Sequence, residues 1–201
     1  MKKDGMRKDM NKTIILIGPM CAGKSTIAKL LSERMQIPRY ELDELRWDYY
    51  REHGYDVEKA AQIAEEEGMA GLLAYWKPFE VYAVERVVEE YTDGVIDFGA
   101  GHSVFENEEK FKRVQAALSP ISHVILLLPC PVLERSTEIL NARVAKLLER
   151  EVGVVDPNVL RANERFVKHP SNRRLANLTV YTEGKSPVET CEEIYSRISK
   201  S

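Results

Sequence analysis

The chain has few cysteines, and Cys21, Cys130 and Cys191 stand at no metal-ligand spacing. An odd, scattered set argues against a disulfide framework and for reduced thiols, as expected in the cytoplasm. Excess basic charge is also missing. The formal net charge of -3 gives no global positive field to draw in nucleic acid. No apolar run approaches the roughly 20 residues that cross a bilayer as a helix, so no membrane span is expected. Met1 to Lys12 is polar and charged, with no apolar h-region. We expect a frayed tail there rather than a signal peptide. Internal repeats and low-complexity linkers are absent too. What remains is a chain of 201 residues, 44% hydrophobic and 30% charged. That is enough for a single domain over residues 1–201 with a sizeable core.

Against this plain background, Gly18-Pro19-Met20-Cys21-Ala22-Gly23-Lys24-Ser25 reads GxxxxGKS, a phosphate-binding loop. Its flanks are the required ones. Thr13-Ile14-Ile15-Leu16-Ile17 reads as a buried strand, and Ile27, Leu30, Leu31 and Met35 fall on one face of a helix. In such a loop, backbone N–H groups cradle phosphate oxygens and the helix N-terminus adds its dipole. Gly18, Cys21, Ala22, Gly23, Lys24, Ser25 and Thr26 are therefore the expected ATP-binding residues. Lys24 is expected to reach the β- and γ-phosphates, and Ser25 to ligate Mg²⁺.

Strands and helices alternate along the rest of the chain, which predicts an α/β three-layer fold. In it a five-stranded parallel sheet is flanked by helices. The further strands are expected at Arg39 to Asp43, Val95 to Phe98, His123 to Leu128 and Leu178 to Thr182. Residues 44–91 read as a helical, acceptor-binding region interrupted near Gly54, Gly68 and Pro78. Residues 149–172, charged and broken by glycine and proline, read as a mobile lid with little apolar surface to anchor it. Ser186-Pro187-Val188-Glu189 has the form of a capping box opening the last helix.

Ligands of open parallel sheets bind beyond the C-terminal ends of the strands. Three polar groups fall there: the loop, Glu41-x-Asp43, and Asp97 with Gly99-Ala100-Gly101. Asp43, read as the end of the second strand, is placed to accept the proton of an attacking hydroxyl. Glu41, two residues earlier on the same strand, is expected to share its side and to help hold Mg²⁺. Asp97 resembles a Walker B carboxylate, and Gly99-Ala100-Gly101 permits close approach of a substrate. Lys77, in Trp76-Lys77-Pro78-Phe79-Glu80, is a candidate contact for an anionic substrate group. His102 is either a pocket residue or a structural histidine. Arg143 leads into the lid and is placed to stack on adenine. Lid cations, Lys168 among them, are expected to close over the transferring group.

These residues together resemble the shikimate kinase branch of the nucleoside-monophosphate-kinase-like P-loop fold. Glu41-x-Asp43 stands where that family has Asp-x-Asp, and Trp76-Lys77-Pro78-Phe79-Glu80 resembles its Phe-Arg-x-x-Glu. Gly99-Ala100-Gly101 stands for its triple-glycine substrate loop, and Lys168 to Asn177 resembles its closing stretch. The resemblance implies ATP- and Mg²⁺-dependent phosphoryl transfer to a small hydroxylated acceptor, by a monomer or homodimer. It also implies that Asp43, Lys77, Gly99, Ala100, Gly101 and Lys168 contact the acceptor. Both arginines that would clamp a carboxylate are lysines here, which cannot make the planar two-pronged contact. The aromatic group Trp47, Tyr49, Tyr50 and Tyr55 keeps a nucleoside or nucleotide acceptor open as an alternative. A regulatory protein that binds nucleotide without acceptor turnover is the non-enzymatic alternative.

Overall fold

The computed structural model describes residues 13–200, so the tail expected over residues 1–12 lies outside the described residues. Strand β1 (Ile14–Ile17) is fully buried and lies at the centre of the sheet. It is flanked by β3 (Val95–Asp97) and β4 (His123–Leu128), with β2 (Arg39–Glu41) and β5 (Leu178–Tyr181) at the edges. All pairings are parallel, and Ile14 lies opposite both Val95 and His123. Parallel strands covered on both faces need apolar residues at every position, and Ile-Ile-Leu-Ile and Val-Ile-Leu-Leu-Leu supply them. From β1 the chain goes to one side of the sheet for β2 and later to the other for β4. The switch point therefore lies at the C-terminal end of β1, where the glycine loop emerges.

Helix α1 (Lys24–Met35) follows the loop and packs beside α8 (Pro187–Ile198). Helix α3 (Val57–Glu90) packs beside α2 (Leu42–Glu52) and α4 (Glu108–Leu118). The capping box at Ser186 is formed in both directions. Among the described residues no helix is long and apolar enough to cross a membrane.

Three boundaries differ from the sequence reading. Strand β2 ends at Glu41, and Asp43 lies in the first turn of α2. Leu42 is fully buried and starts the helix, and Asp43 and Glu44 sit where the helix dipole favours acids. Helix α3 runs through Pro78 without a break. The buried neighbours Phe79, Val81, Ala83 and Val84 hold this part of α3 against the core. The interruption expected near Gly68 is present as a kink, with φ 66° and ψ -158°. Finally, after α5 (Leu133–Glu151) the expected lid folds into α6 (Pro157–Lys168) and α7 (Ser171–Leu175). Pro157 is not a breaker but the first residue of α6, and Asp156 caps it through the Asn158 N–H at 2.8 Å. The expectation of little apolar anchorage is also corrected, because Phe166 and Val167 are buried.

Candidate active site

The loop between β1 and α1 places Gly23 as the helix N-cap in a left-handed conformation, φ 96°. Lys24 is buried and folds back over the loop, donating from Nζ to the carbonyl oxygens of Gly18 and Pro19, both at 2.8 Å. Burial lowers its pKa from 10.5 to about 8, partly opposed by the nearby charges of Asp43 and Asp97. Ser25 and Thr26 are exposed beside it.

The sign of a proton linkage follows. Free Lys24 is half-charged near pH 8, and a bound polyphosphate favours its charged form and raises that pKa. Below pH 8 the lysine is charged in both states and binding takes up no proton. Above it, binding must take up a proton, so affinity falls as pH rises. Calorimetry of ADP binding without divalent metal, in two buffers of different ionisation heat, should show this uptake above pH 8 and not at pH 6.5. Equal apparent heats in both buffers above pH 8 would contradict the assignment.

Around the loop the acids divide their work differently from the sequence reading. Because β2 ends at Glu41, Glu41 and Asp43 do not share one strand face. Arg39 ties Glu41 (2.9 Å) to Asp97 (3.1 Å), its neighbour across the β2–β3 register. Partial burial raises the Glu41 pKa despite Arg39. Asp97 is buried, and its second oxygen, Oδ1, has no partner. Asp43 is mostly exposed and pairs with Arg46, three residues on along α2, at 3.3 Å.

The glycines of the Gly99-Ala100-Gly101 turn are explained by close approach. A Cβ on Gly99 would meet Asp43 Oδ1 at 2.2 Å, and one on Gly101 would meet Glu80 Oε1 at 2.1 Å. The turn thus lets two carboxylates reach the same place. Lys77 is buried behind Glu80, donating to its Oε2 at 2.5 Å and to the Gly101 carbonyl at 3.0 Å. His102 is fully buried, its pKa pushed down by burial to about 4, with Tyr50 Oη 3.5 Å from Nε2. It is a neutral structural histidine beneath the site.

A cavity of about 260 Å³ opens between the loop, α2, α3, the glycine turn and α6. Asp43, Arg46 and Glu80 are its charged lining, and Met69, Leu73, Trp76, Ala100 and Phe166 supply much of the rest. Trp76 lines it and Tyr49 and Tyr50 are core residues, whereas Trp47 is 38% exposed with the Arg46 guanidinium 4.5 Å from its ring centroid. The aromatic group is therefore mostly packed on itself, with Trp47 against Tyr50 and Tyr55 at 5.5 and 5.8 Å.

Arg143 reaches the other end of the loop, donating to the Cys21 carbonyl at 3.3 Å. It also lines a depression of about 230 Å³ with Thr26, Thr182 and Lys185. Lys168 is not brought to the site. It is exposed and bonded to Glu164 at 2.7 Å, on the helix face away from Ala162 and Phe166.

Two residues the sequence did not single out belong here. Arg46 could have been found from its helical spacing after Asp43 once α2 is known to begin at Leu42. Asn163 had no sequence signal. It is fully buried and its Oδ1 accepts the Met20 N–H of the glycine loop at 2.9 Å. Its Nδ2 donates to Asn141 Oδ1 at 3.0 Å, so α6, α5 and the loop are joined by one chain of bonds. Asn163→Leu should cost about 1–3 kcal/mol, because the loop N–H and the Asn141 oxygen lose their partner in a partly buried place. Urea unfolding checks this, and an unchanged midpoint would show that the bond is dispensable.

The family model for the AAA domain matches residues 14–156. A shikimate kinase of Limosilactobacillus fermentum is 29% identical over 186 residues, covering 90% of this chain and 92% of its own. The crystal structure of shikimate kinase from Aquifex aeolicus superimposes with a TM-score of 0.55 at 25% identity, covering 93% of this chain and 96% of its own. Shikimate kinase from Acinetobacter baumannii in complex with shikimate gives a TM-score of 0.64 at 21% identity, over 94% and 93%. That last likeness concerns the fold.

Proposed function

The chain belongs to the AAA domain family and is a shikimate kinase-like, ATP-dependent small-molecule kinase; from this premise we propose which residues carry the transfer. The γ-phosphoryl group of ATP passes to an acceptor hydroxyl held in the cavity between α3, α6 and the glycine turn. Asp43 accepts that hydroxyl's proton. The observation that supports this role is its double exposure: Asp43 lines the acceptor cavity, and its charge also acts on Lys24 in the phosphate loop. A proton acceptor between nucleophile and transferring group has to face both.

Lys24 leaves the Gly18 and Pro19 carbonyls to bind the β- and γ-phosphates. Arg143 covers the nucleotide base. The partnerless buried Oδ1 of Asp97, with exposed Ser25 beside the loop, suits a hard cation that keeps several waters. Asp97 and Ser25 would hold Mg²⁺, and Glu41, already bonded to Arg39, contributes less. When bound, the ion neutralises charge between the β- and γ-phosphates.

Residues 149–172 act as the lid, closing by movement of the exposed 152–154 stretch about the anchored part of α6. Hydrogen exchange over this stretch should slow when nucleotide and acceptor bind. Strong protection without ligands, unchanged on binding, would make it a fixed element. The reading as a whole is tested by coupled ADP release over shikimate, polyols and nucleosides. The names of the relatives make shikimate the first acceptor to assay. Tight nucleotide binding without acceptor-dependent ADP release would favour a regulatory protein.

A further inference from the structure

The phosphate loop opens on a strained turn. The Ala22 N–H donates to the Pro19 carbonyl at 3.4 Å, which puts Met20 and Cys21 at the corner. Cys21 has φ 58°, a left-handed conformation that tight turns usually give to glycine or asparagine. Another residue keeps it only where the surroundings over-determine it. Two side chains from outside the loop supply that restraint. Arg143 of α5 donates to the Cys21 carbonyl at 3.3 Å, and Asn163 of α6 accepts the Met20 N–H at 2.9 Å.

The Asn163 bond has a counterpart across a single peptide unit. The Pro19 carbonyl and the Met20 N–H belong to one planar group. Lys24 Nζ donates to its oxygen at 2.8 Å, and Asn163 Oδ1 accepts from its nitrogen at 2.9 Å. In the free protein this peptide is gripped at both ends. When Lys24 turns to the phosphates, Asn163 is the side chain left holding the plane. Asn163 is fully buried and bonded to Asn141, whose own Nδ2 donates back to the Leu160 carbonyl of α6 at 3.2 Å. Met20 lines the acceptor cavity, and so do Ala162 and Phe166 from the same helix as Asn163.

We propose that Asn163 is a positioning residue for phosphoryl transfer. It keeps the Pro19–Met20 peptide, and with it the Met20 side of the acceptor cavity, in register with the nucleotide once Lys24 has left the loop carbonyls. This deepens the kinase reading and rests on it. The amide touches neither substrate and acts through alignment. A peptide free to rotate lets the turn at Cys21 relax and shifts Met20 against the acceptor, and a misplacement of about 1 Å costs up to about 10²-fold in rate. The Met20 N–H is bonded to Asn163 rather than open to phosphate, so nucleotide affinity changes little.

Amide exchange of Met20, followed by NMR, tests the hold without any acceptor. The N–H should be protected in the free protein, and saturating ADP should leave its exchange rate within about threefold. Acceleration of about tenfold or more on ADP binding means that the bond is released with the lysine, and overturns the inference. Asn163→Leu should lower kcat for shikimate-dependent ADP release by about tenfold or more and move either KM by less than about threefold. Asn163→Asp keeps an oxygen for the Met20 N–H and, when protonated, a donor for Asn141, so it should recover most of that loss. Val114→Ala, a deletion at a fully buried position of α4, should destabilise the fold and leave kcat unchanged. An unchanged kcat in Asn163→Leu, or an equal loss in Val114→Ala, also overturns the inference. Should Met20 stay protected while no ADP release depends on shikimate, a polyol or a nucleoside, the kinase reading fails and the hold on the loop stands.

Discussion

Lys24→Ala lowers phosphoryl transfer by at least about 10²–10³-fold, the loss expected for one preorganised electrostatic donor. The lysine does two things in the free protein. It holds the loop closed through the Gly18 and Pro19 carbonyls, and it stores a cation whose pKa burial has lowered to about 8. Alanine removes both, so part of the effect is a less ordered loop. Lys24→Arg separates them: it restores a charge that does not titrate but cannot follow the same path into the buried site. Both variants should retain the native circular dichroism spectrum, since β1 and α1 are anchored by Ile14 to Ile17, Ile27 and Leu31. Steady-state coupled ADP release checks the prediction. Near-normal turnover by a folded alanine variant would remove the P-loop lysine from the chemistry.

Asp43→Asn lowers kcat by about 10²–10⁴-fold, the range for loss of a positioned proton acceptor, and leaves ATP affinity nearly unchanged at acidic pH, where Lys24 stays charged. The amide keeps the shape against Gly99, where only a hydrogen leaves room for the side chain. It loses the ion pair to Arg46 and the charge that supports protonated Lys24. Removing that charge lowers the Lys24 pKa further. The residual activity of the variant should therefore fall off at lower pH than the wild-type activity does. Acceptor-dependent turnover and nucleotide affinity, measured separately across pH, distinguish the outcomes. If ATP affinity collapses while acceptor turnover survives, Asp43 serves the metal and not the acceptor.

Much of this site was legible in one dimension because its parts are local. The phosphate loop is a contiguous run whose function lies in backbone N–H groups, and strand, loop and helix follow one another without a gap. Asp97 ends the short run Val95 to Asp97, read as a strand, and the Gly99 to Gly101 turn follows it. The parallel sheet followed from the alternation of elements. The pairing order, with β1 between β3 and β4, was not read from the sequence and was found in the tertiary structure.

Other features were out of reach, each for a physical reason. Leu42 could continue a strand or start a helix, and it starts α2, which moved Asp43 off the face of Glu41. Pro157 carries the same letter whether it breaks a helix or opens one, and the Asp156 cap made it the opening. Whether a lysine is available to a ligand depends on which acid folds next to it. Glu80 and Glu164 took Lys77 and Lys168, and Arg39 took Glu41. The sequence by itself determined the strand, glycine loop and helix of residues 14–35 and the parallel sheet that carries them, because backbone geometry and strand burial are written in adjacent residues. Only the tertiary structure decided which charges face the cavity, because ion pairing is settled between side chains that meet across elements.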